Sequence, residues 1–362
     1  MSTVSKLVLA LVGVIVLALV FTFVQVGAAG EPGDTGPVAV ASTTTSTSTS
    51  TTTSTTTSTI PATTTTTLPP KGTVVIHGAG DVNLDPNYIS ALGANGYAYA
   101  WEGVDELFRG DDLTVINLEC APTDIIAPEP KEFVFRCPTE SLSSLASAGI
   151  EIASLGNNHS GDHGKEGLVD GRANLIAVGV APVGAGKDAA EAGAPVVFEA
   201  EGWRIAVIGF GGVVPNPPWI ATADRAGMRD GDDISSMVEA IEAADEMADI
   251  VVVAIHWGVE LDREPRSEDV ERAEAMVAAG ADVIFGHHAH RLQPFEMVDG
   301  AAVFWGLGNF VWPNYSKAAS TTGVGRAIIR PDGSIEACLI PAFIERPGQP
   351  VLTGEPDCGR DR

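Results

Sequence analysis

Basic residues are scarce in this chain: 21 Lys and Arg stand against 47 Asp and Glu, a formal net charge of −26. A surface of that sign repels nucleic acid and anionic lipid headgroups, so no nucleic-acid partner is expected. Cysteine is scarce as well. The chain has 4, with no CxxC spacing among them, so a thiolate metal site is not expected. Their even number suits an oxidising compartment, with Cys120 expected to pair with Cys137 and Cys338 with Cys358. Each bridge closes a loop of roughly 20 residues, worth ~3 kcal/mol by loss of chain entropy in the unfolded state. A third shortage is local. From Ser42 to Thr67 the sequence is nearly all Thr and Ser, interrupted by Ile60, Pro61 and Ala62, and it has no apolar face from which a core could be built.

The apolar residues lie on either side of that segment. Leu7 to Val26 follows Lys6 and is long enough to cross a bilayer as a helix. Residues 1–30 are therefore expected to act as a signal anchor or signal peptide; small residues at Gly27 and Ala28 leave cleavage open. The localisation expected is a single-pass cell-membrane protein with its folded part extracytoplasmic, or a secreted one if the segment is removed. Residues 31–70 read as a disordered Thr/Ser/Pro-rich linker, either an extended stalk or a plain spacer. Residues 71–345 form one large domain, and residues 346–362 a C-terminal tail.

Within the domain, short β-rich runs alternate with stretches of helical period, an α/β pattern. Strands are predicted at Thr73 to His77, Leu113 to Asn117, Ile150 to Leu155, Arg204 to Phe210, Ile250 to Ile255, Asp282 to Phe285 and Ala301 to Trp305. Helices are predicted at Glu140 to Ala148, Lys165 to Ala177, Asp233 to Met247 and Ser267 to Ala279. A hairpin is predicted around Pro331 to Gly333, so the sheet is not purely parallel. Phe210 to Gly231, rich in Gly and Pro, reads as a loop or lid, and Gly209 to Gly212 as a turn, since it lacks the Lys and following helix of a phosphate-binding loop.

Residue types that bind metal recur where these strands end: Asp81 after the first, Glu119 after the second, Asn158 with His159 after the third, then His256, His288 and His290. Ligands of α/β sheets gather at the carboxyl ends of strands, so residues far apart in sequence are expected at one rim. A set of N and O donors without thiolate suits Zn, Mn or Fe, and two such ions bridged by a carboxylate would activate water against a phosphoryl or acyl centre. His77, inside a strand, reads as merely hydrogen-bonded. His163 reads as a surface-loop residue with a site role left open, and His287 as an alternative ligand. Trp257 and Trp305 read as wall or core.

GAGDVNLD (Gly78 to Asp85), NLE (Asn117 to Glu119), NNHSGDHG (Asn157 to Gly164), HWGVE (His256 to Glu260), AGADVIFGHHAH (Ala279 to His290) and GLGNF (Gly306 to Phe310) occur in that order. Together, from about Thr73 to Trp312, they resemble the bacterial capsule synthesis protein CapA family. The resemblance implies a metallophosphoesterase-like four-layer sandwich, two mixed β-sheets flanked by helices, and a role in export of poly-gamma-glutamate or a related surface polymer. It also implies roles for residues: Asp81 and His290 on one divalent ion, Asn158, His256 and His288 on the other, and Glu119 between them. His159 becomes the general acid or charge stabiliser, oriented by Asp162. The chain departs from the usual D-x-H first motif with Asp81-Val82-Asn83, making Asn83 a weaker ligand. Three functions follow from this reading: a metal-dependent hydrolase or transferase acting on an anionic envelope polymer, a non-catalytic assembly factor that binds the polymer or its synthesis and export machinery, or an extracellular peptidase. Arg263, Arg266 and Arg291 are the candidates to meet an acidic polymer.

Overall fold

The structure, a computed structural model, describes residues 70–215 and 217–354. The expected membrane segment, most of the Thr/Ser linker and Cys358 lie outside these residues. Among the described residues no helix is long and apolar enough to cross a membrane.

In chain order the strands are Val74–Val82 (β1), Leu113–Leu118 (β2), Ile152–Ser154 (β3), Ala181–Val183 (β4), Ala185–Gly186 (β5), Val196–Ala200 (β6), Trp203–Gly211 (β7) and Gly227–Met228 (β8). They continue with Ile250–His256 (β9), Val283–His287 (β10), Phe295–Val298 (β11), Ala301–Phe304 (β12), Asn309–Val311 (β13), Thr321–Ile329 (β14), Ile335–Arg346 (β15) and Gln349–Leu352 (β16). One sheet runs β16-β15-β14-β1-β2-β3-β4 with β13 beside β1, and the second runs β11-β12-β10-β9-β7-β6. Both are mixed. β1, β2, β3 and β4 are parallel while β14, β15 and β16 are antiparallel, and the parallel β7, β9, β10 and β12 are edged by antiparallel β6 and β11.

The sheets face one another because their strands are apolar on both sides. Along β9, Ile250, Val252 and Ala254 join Val74, Ile76, Val115, Ile205, Phe285 and Phe304 in the core between the sheets. Val251, Val253 and Ile255 point the other way, onto a core shared with Met237 and Ile241 of helix Ile234–Asp245 and Ala273 and Met276 of helix Ser267–Ala278. On the far side of the first sheet, Ile116 and Leu118 pack with Leu142 and Leu145 of helix Thr139–Ala148 and Leu168 and Leu175 of helix Gly164–Ala177. The period-2 alternation of the strand side chains thus builds four layers, helices outside and two sheets within.

Two expectations shift. The sheet takes in β16, so the ordered fold runs past residue 345, where a tail was expected. Gly209 to Gly211 continue β7 instead of turning, and an added Cβ at Gly209 would lie 2.8 Å from the Gly184 backbone. Glycine is used there for close approach of two chain segments. The Pro331 to Gly333 hairpin forms as expected between β14 and β15, and Cys120 is bonded to Cys137 with the Cα atoms 5.7 Å apart.

Candidate metal centre

The donors gather where the parallel strands of both sheets end. β1 delivers Asp81 through an irregularity in register between Ala79 and Asp81. An added Cβ on Gly80 would sit 2.0 Å from the Gly308 carbonyl oxygen, so only glycine lets the two backbones meet. The Asp81 amide donates to that carbonyl at 2.9 Å, and Asp81 lies in register with Asn309 on one side and Asn117 on the other. Glu119 follows β2, Asn158 and His159 follow β3, His256 closes β9, and His288 and His290 follow β10.

Asn117, a residue sequence reasoning left without a role, ties this rim together. Its Nδ2 lies 2.8 Å from Asp81 Oδ1, 3.2 Å from His256 Nδ1 and 3.4 Å from Glu119 Oε2. Asn157 holds it in turn, donating to Asn117 Oδ1 at 3.0 Å. His256 Nε2 is 2.9 Å from Asn158 Oδ1 and 3.6 Å from Glu119 Oε1. His290 Nδ1 is 2.8 Å from Asn309 Oδ1 and 3.0 Å from Asp81 Oδ2, with Nε2 3.8 Å from Glu119 Oε1. His288 and His290 have φ values of 90° and 50°, a backbone region that non-glycine residues rarely enter. Such strain concentrates at functional sites.

Two sets of donor atoms, each within 4.8 Å of one another, can hold a cation: Glu119, His288 and His290, and Asp81, Glu119 and His256. Glu119 belongs to both, as a bridging carboxylate must. The sets cut across the pairing that the resemblance implies, Asp81 with His290 and His256 with His288, although both of those pairs are also in contact. Asp81 and Glu119 are fully buried, yet Glu119 Oε1 and His288 Nδ1 have no hydrogen-bond partner among the described residues, and Asp81 Oδ2 is met by the His290 ring at 3.0 Å. Buried carboxylate oxygens without partners are costly, and a divalent cation removes that cost. The donors therefore fit metal.

The family description "Bacterial capsule synthesis protein PGA_cap" matches residues 75–314, a span that contains every one of these donors. The chain belongs to the PGA_cap family. Among its relatives is the PGA biosynthesis protein CapA of Bacillus subtilis (strain 168), 32% identical over 212 residues that make up 58% of this chain and 55% of the relative. The capsule biosynthesis protein CapA of Bacillus anthracis is 30% identical over 291 residues, 78% of this chain and 70% of the relative. The chain thus spans about half the length of the first of these. The solved structure of the NAD nucleotidase NadN of Haemophilus influenzae is 14% identical, with a TM-score of 0.46, over 78% of this chain and 60% of that one.

Electrostatics at the PGA_cap rim separate the imidazoles. Burial pushes His256 well down and His288 down to about 4, so both are neutral with lone pairs available at neutral pH. Burial also opposes charge on His290, but Glu119 and Asp81 outweigh it and lift that imidazole to about 9. Burial, then the neighbouring Asp81, pushes Glu119 well above the usual carboxylate range.

His159 sits beside this group with Nδ1 2.7 Å from Asp162 Oδ2, the orientation expected. Asp162 is itself held by the Phe135 amide at 2.7 Å and by Lys131 Nζ at 2.7 Å. Lys131 also donates to the Asn158 carbonyl at 2.6 Å, so one ammonium fixes both a candidate ligand loop and the His159–Asp162 pair. Sequence reasoning missed Lys131. It lies in a loop without regular structure, and the only signal available was its position between two cysteines that pair.

Other expectations fare differently. Asn83 is buried, but its Oδ1 accepts the Asp85 amide at 2.8 Å, so the atom expected to ligate is already engaged. His287 turns away, with Nδ1 3.3 Å from the Ile255 carbonyl and Nε2 3.1 Å from the Ala79 carbonyl. His163 Nδ1 takes the Ala127 amide at 3.0 Å and so braces the Lys131 loop instead of the rim. Asn309, whose GLGNF segment was read as backbone, contributes its side chain to His290. Arg266 is paired to Asp269, while Arg291 lines the cleft beside His290. Trp257 and Trp305 stack in the helix-side core, 5.7 Å apart.

Proposed function

We propose that this chain is an extracytoplasmic protein of capsule or surface-polymer assembly, of poly-gamma-glutamate type, whose metallophosphoesterase-like domain is a two-ion hydrolase or transferase. The apolar Leu7 to Val26 segment tethers it to the membrane and residues 31–70 space the domain from the bilayer. The observation that carries this reading is the pair of donor sets sharing the buried Glu119, whose Oε1 has no hydrogen-bond partner among the described residues.

Asp81, Glu119, His256, His288 and His290 would hold the ions, with Asn158 beside His256. When bound, divalent ions supply Lewis acidity toward a phosphoryl or acyl oxygen and lower the pKa of a nearby water. The protein's own groups do the rest. Asn117 and Asn309 orient the donors. Asp162 accepts a hydrogen bond from His159 Nδ1–H, which leaves Nε2 to exchange a proton with a leaving group or to stabilise developing charge. Lys131 keeps that pair in place. The names of the Bacillus relatives support an acidic capsule polymer or its assembly machinery as partner.

The test is turnover of a chromogenic phosphodiester and of polyglutamate by protein loaded with Mn or Zn. Turnover of at least one substrate that is lost in folded His288→Ala supports the reading; a metal-loaded wild type inert to both contradicts it.

The commitment of Asn83 Oδ1 to Asp85 favours a second reading, a non-catalytic assembly factor with an incomplete ion site. A His256→Ala, His288→Ala double variant that still restores surface polymer to a deletion strain selects that reading over the first.

A further inference from the structure

A cleft of about 240 Å3 opens beside His159 and His290, and one of its walls is aromatic. Tyr88 and Phe135 lie 4.5 Å apart between ring centroids, Tyr88 and Trp312 5.6 Å, Phe133 and Phe135 6.3 Å, and Tyr88 and Tyr315 6.4 Å. The wall reaches the candidate metal centre through Phe135 against His159 at 4.4 Å and Trp312 against His290 at 4.9 Å. Its outer members do not serve the core: Phe133 is 54% exposed and Tyr315 68% exposed, each on a loop. Polar groups, Glu260, Arg291 and Ser316, also line the cleft. Arg291 is braced by its own chain, donating to the His290 carbonyl at 2.7 Å.

We propose that this cleft binds a saccharide ring, and that the substrate is a sugar-bearing phosphoester with the phosphoryl group at the donor rim and the pyranose against the Phe133–Tyr315 wall. The proposal rests on the hydrolytic reading above and names its substrate class. Three features select the occupant. A pyranose has an apolar C–H face that stacks on aromatic rings and a hydroxyl edge that needs acceptors and donors together, which Glu260, Arg291 and Ser316 provide. The exposed carboxylate of Glu260 disfavours further negative charge beyond the phosphoryl group, so the ring is neutral. The volume falls below the roughly 300 to 1,000 Å3 of drug-sized pockets, room for one ring with its anionic group. An unbranched aliphatic polyacid has no ring to stack on this wall, so polyglutamate, the other candidate substrate above, gains nothing from it.

The experiment is calorimetric titration of the full-length chain, loaded with Mn, with glucose 1-phosphate, methyl phosphate and adenosine monophosphate. It is repeated on a Phe133→Ala, Tyr315→Ala double variant, whose altered side chains are exposed and leave the core intact. Glucose 1-phosphate is expected to bind about 10-fold tighter than methyl phosphate in wild type, the ratio falling to about 1 in the variant. A ratio near 1 in wild type, or a ratio that survives the double substitution, overturns the proposal. So does tighter binding of adenosine monophosphate than of glucose 1-phosphate with the preference lost in the variant, which reassigns the wall to a nucleobase. A titration with methyl glucoside in EDTA separates this proposal from the metal reading. Binding that depends on Phe133 and Tyr315 there, with no metal uptake in a parallel assay, leaves the sugar cleft standing and removes the two-ion centre alone.

Discussion

His77 and Asp81 lie on the same strand, four residues apart and both buried, and their charges are settled in opposite ways. His77 Nδ1 is 2.6 Å from Asp111 Oδ2, and its Nε2 accepts from Arg326 Nε at 2.8 Å. Burial lowers the His77 pKa against the pull of Asp111, so the neutral ring donates to the carboxylate and accepts from the guanidinium. The protein supplies its own cation. Asp81 has no arginine beside it: it shares the His290 imidazole, 3.0 Å from its Oδ2, with a second buried carboxylate, and Glu119 Oε1 has no hydrogen-bond partner among the described residues. A buried acid–histidine cluster closed by arginine is architecture, whereas one left open at a strand rim awaits a cation.

Four substitutions sharpen that contrast. Glu119→Gln removes the carboxylate common to both donor sets, and turnover in a phosphodiester assay is expected to fall roughly 1,000-fold or more; a variant within tenfold of wild type breaks the contrast. His77→Ala strands the buried Asp111 carboxylate and the half-buried Arg326, with an expected loss of roughly 2–4 kcal/mol in urea unfolding. Its metal content is expected to match wild type, and a variant that unfolds normally but sheds metal would join the two clusters into one. Lys131→Met frees Asp162 and the Asn158 loop. Its rate is expected to drop about 10- to 100-fold with metal retained, and a drop accompanied by metal loss would move Lys131 from positioning to support of the ion site.

The smallest effect concerns Glu151, which accepts the Thr114 amide at 2.8 Å and is pushed up to about 7 by burial. Its folded pKa lies above its unfolded one. The stability it contributes is therefore present below about pH 4.5 and lost as pH rises through about 7. Partial exposure reduces the effect. Glu151→Gln is expected to melt roughly 2–4 °C above wild type at pH 8, with the gap closing toward pH 5 in thermal scans; a gap that does not vary with pH contradicts the assignment.

Much of the scaffold was legible because its strands are apolar on both faces. Each of the seven predicted strands is present within a few residues, and so are the four helices and the hairpin. What escaped were the short or edge elements, β4, β5, β6, β8, β11, β13 and β16, which lack long apolar runs and gain their pairing from neighbours. At the rim, the convergence of Asp81, Glu119, Asn158, His256, His288 and His290 followed from strand-end position alone. The supporting groups did not. Asn117 reaches His256 139 residues away, Asn309 reaches His290 19 away and Lys131 reaches Asp162 31 away, and no local pattern encodes those contacts. Asn83, expected from the first motif as a weaker ligand, accepts the Asp85 amide two residues away, a local contact that its motif position does not show.

Elemental analysis of the folded chain after incubation with Mn or Zn and removal of free ion addresses the central claim most directly. Two ions per chain are expected in wild type, with Glu119→Gln retaining fewer than one. A correctly folded wild-type chain that retains none would contradict the assignment of these buried donors to a metal centre.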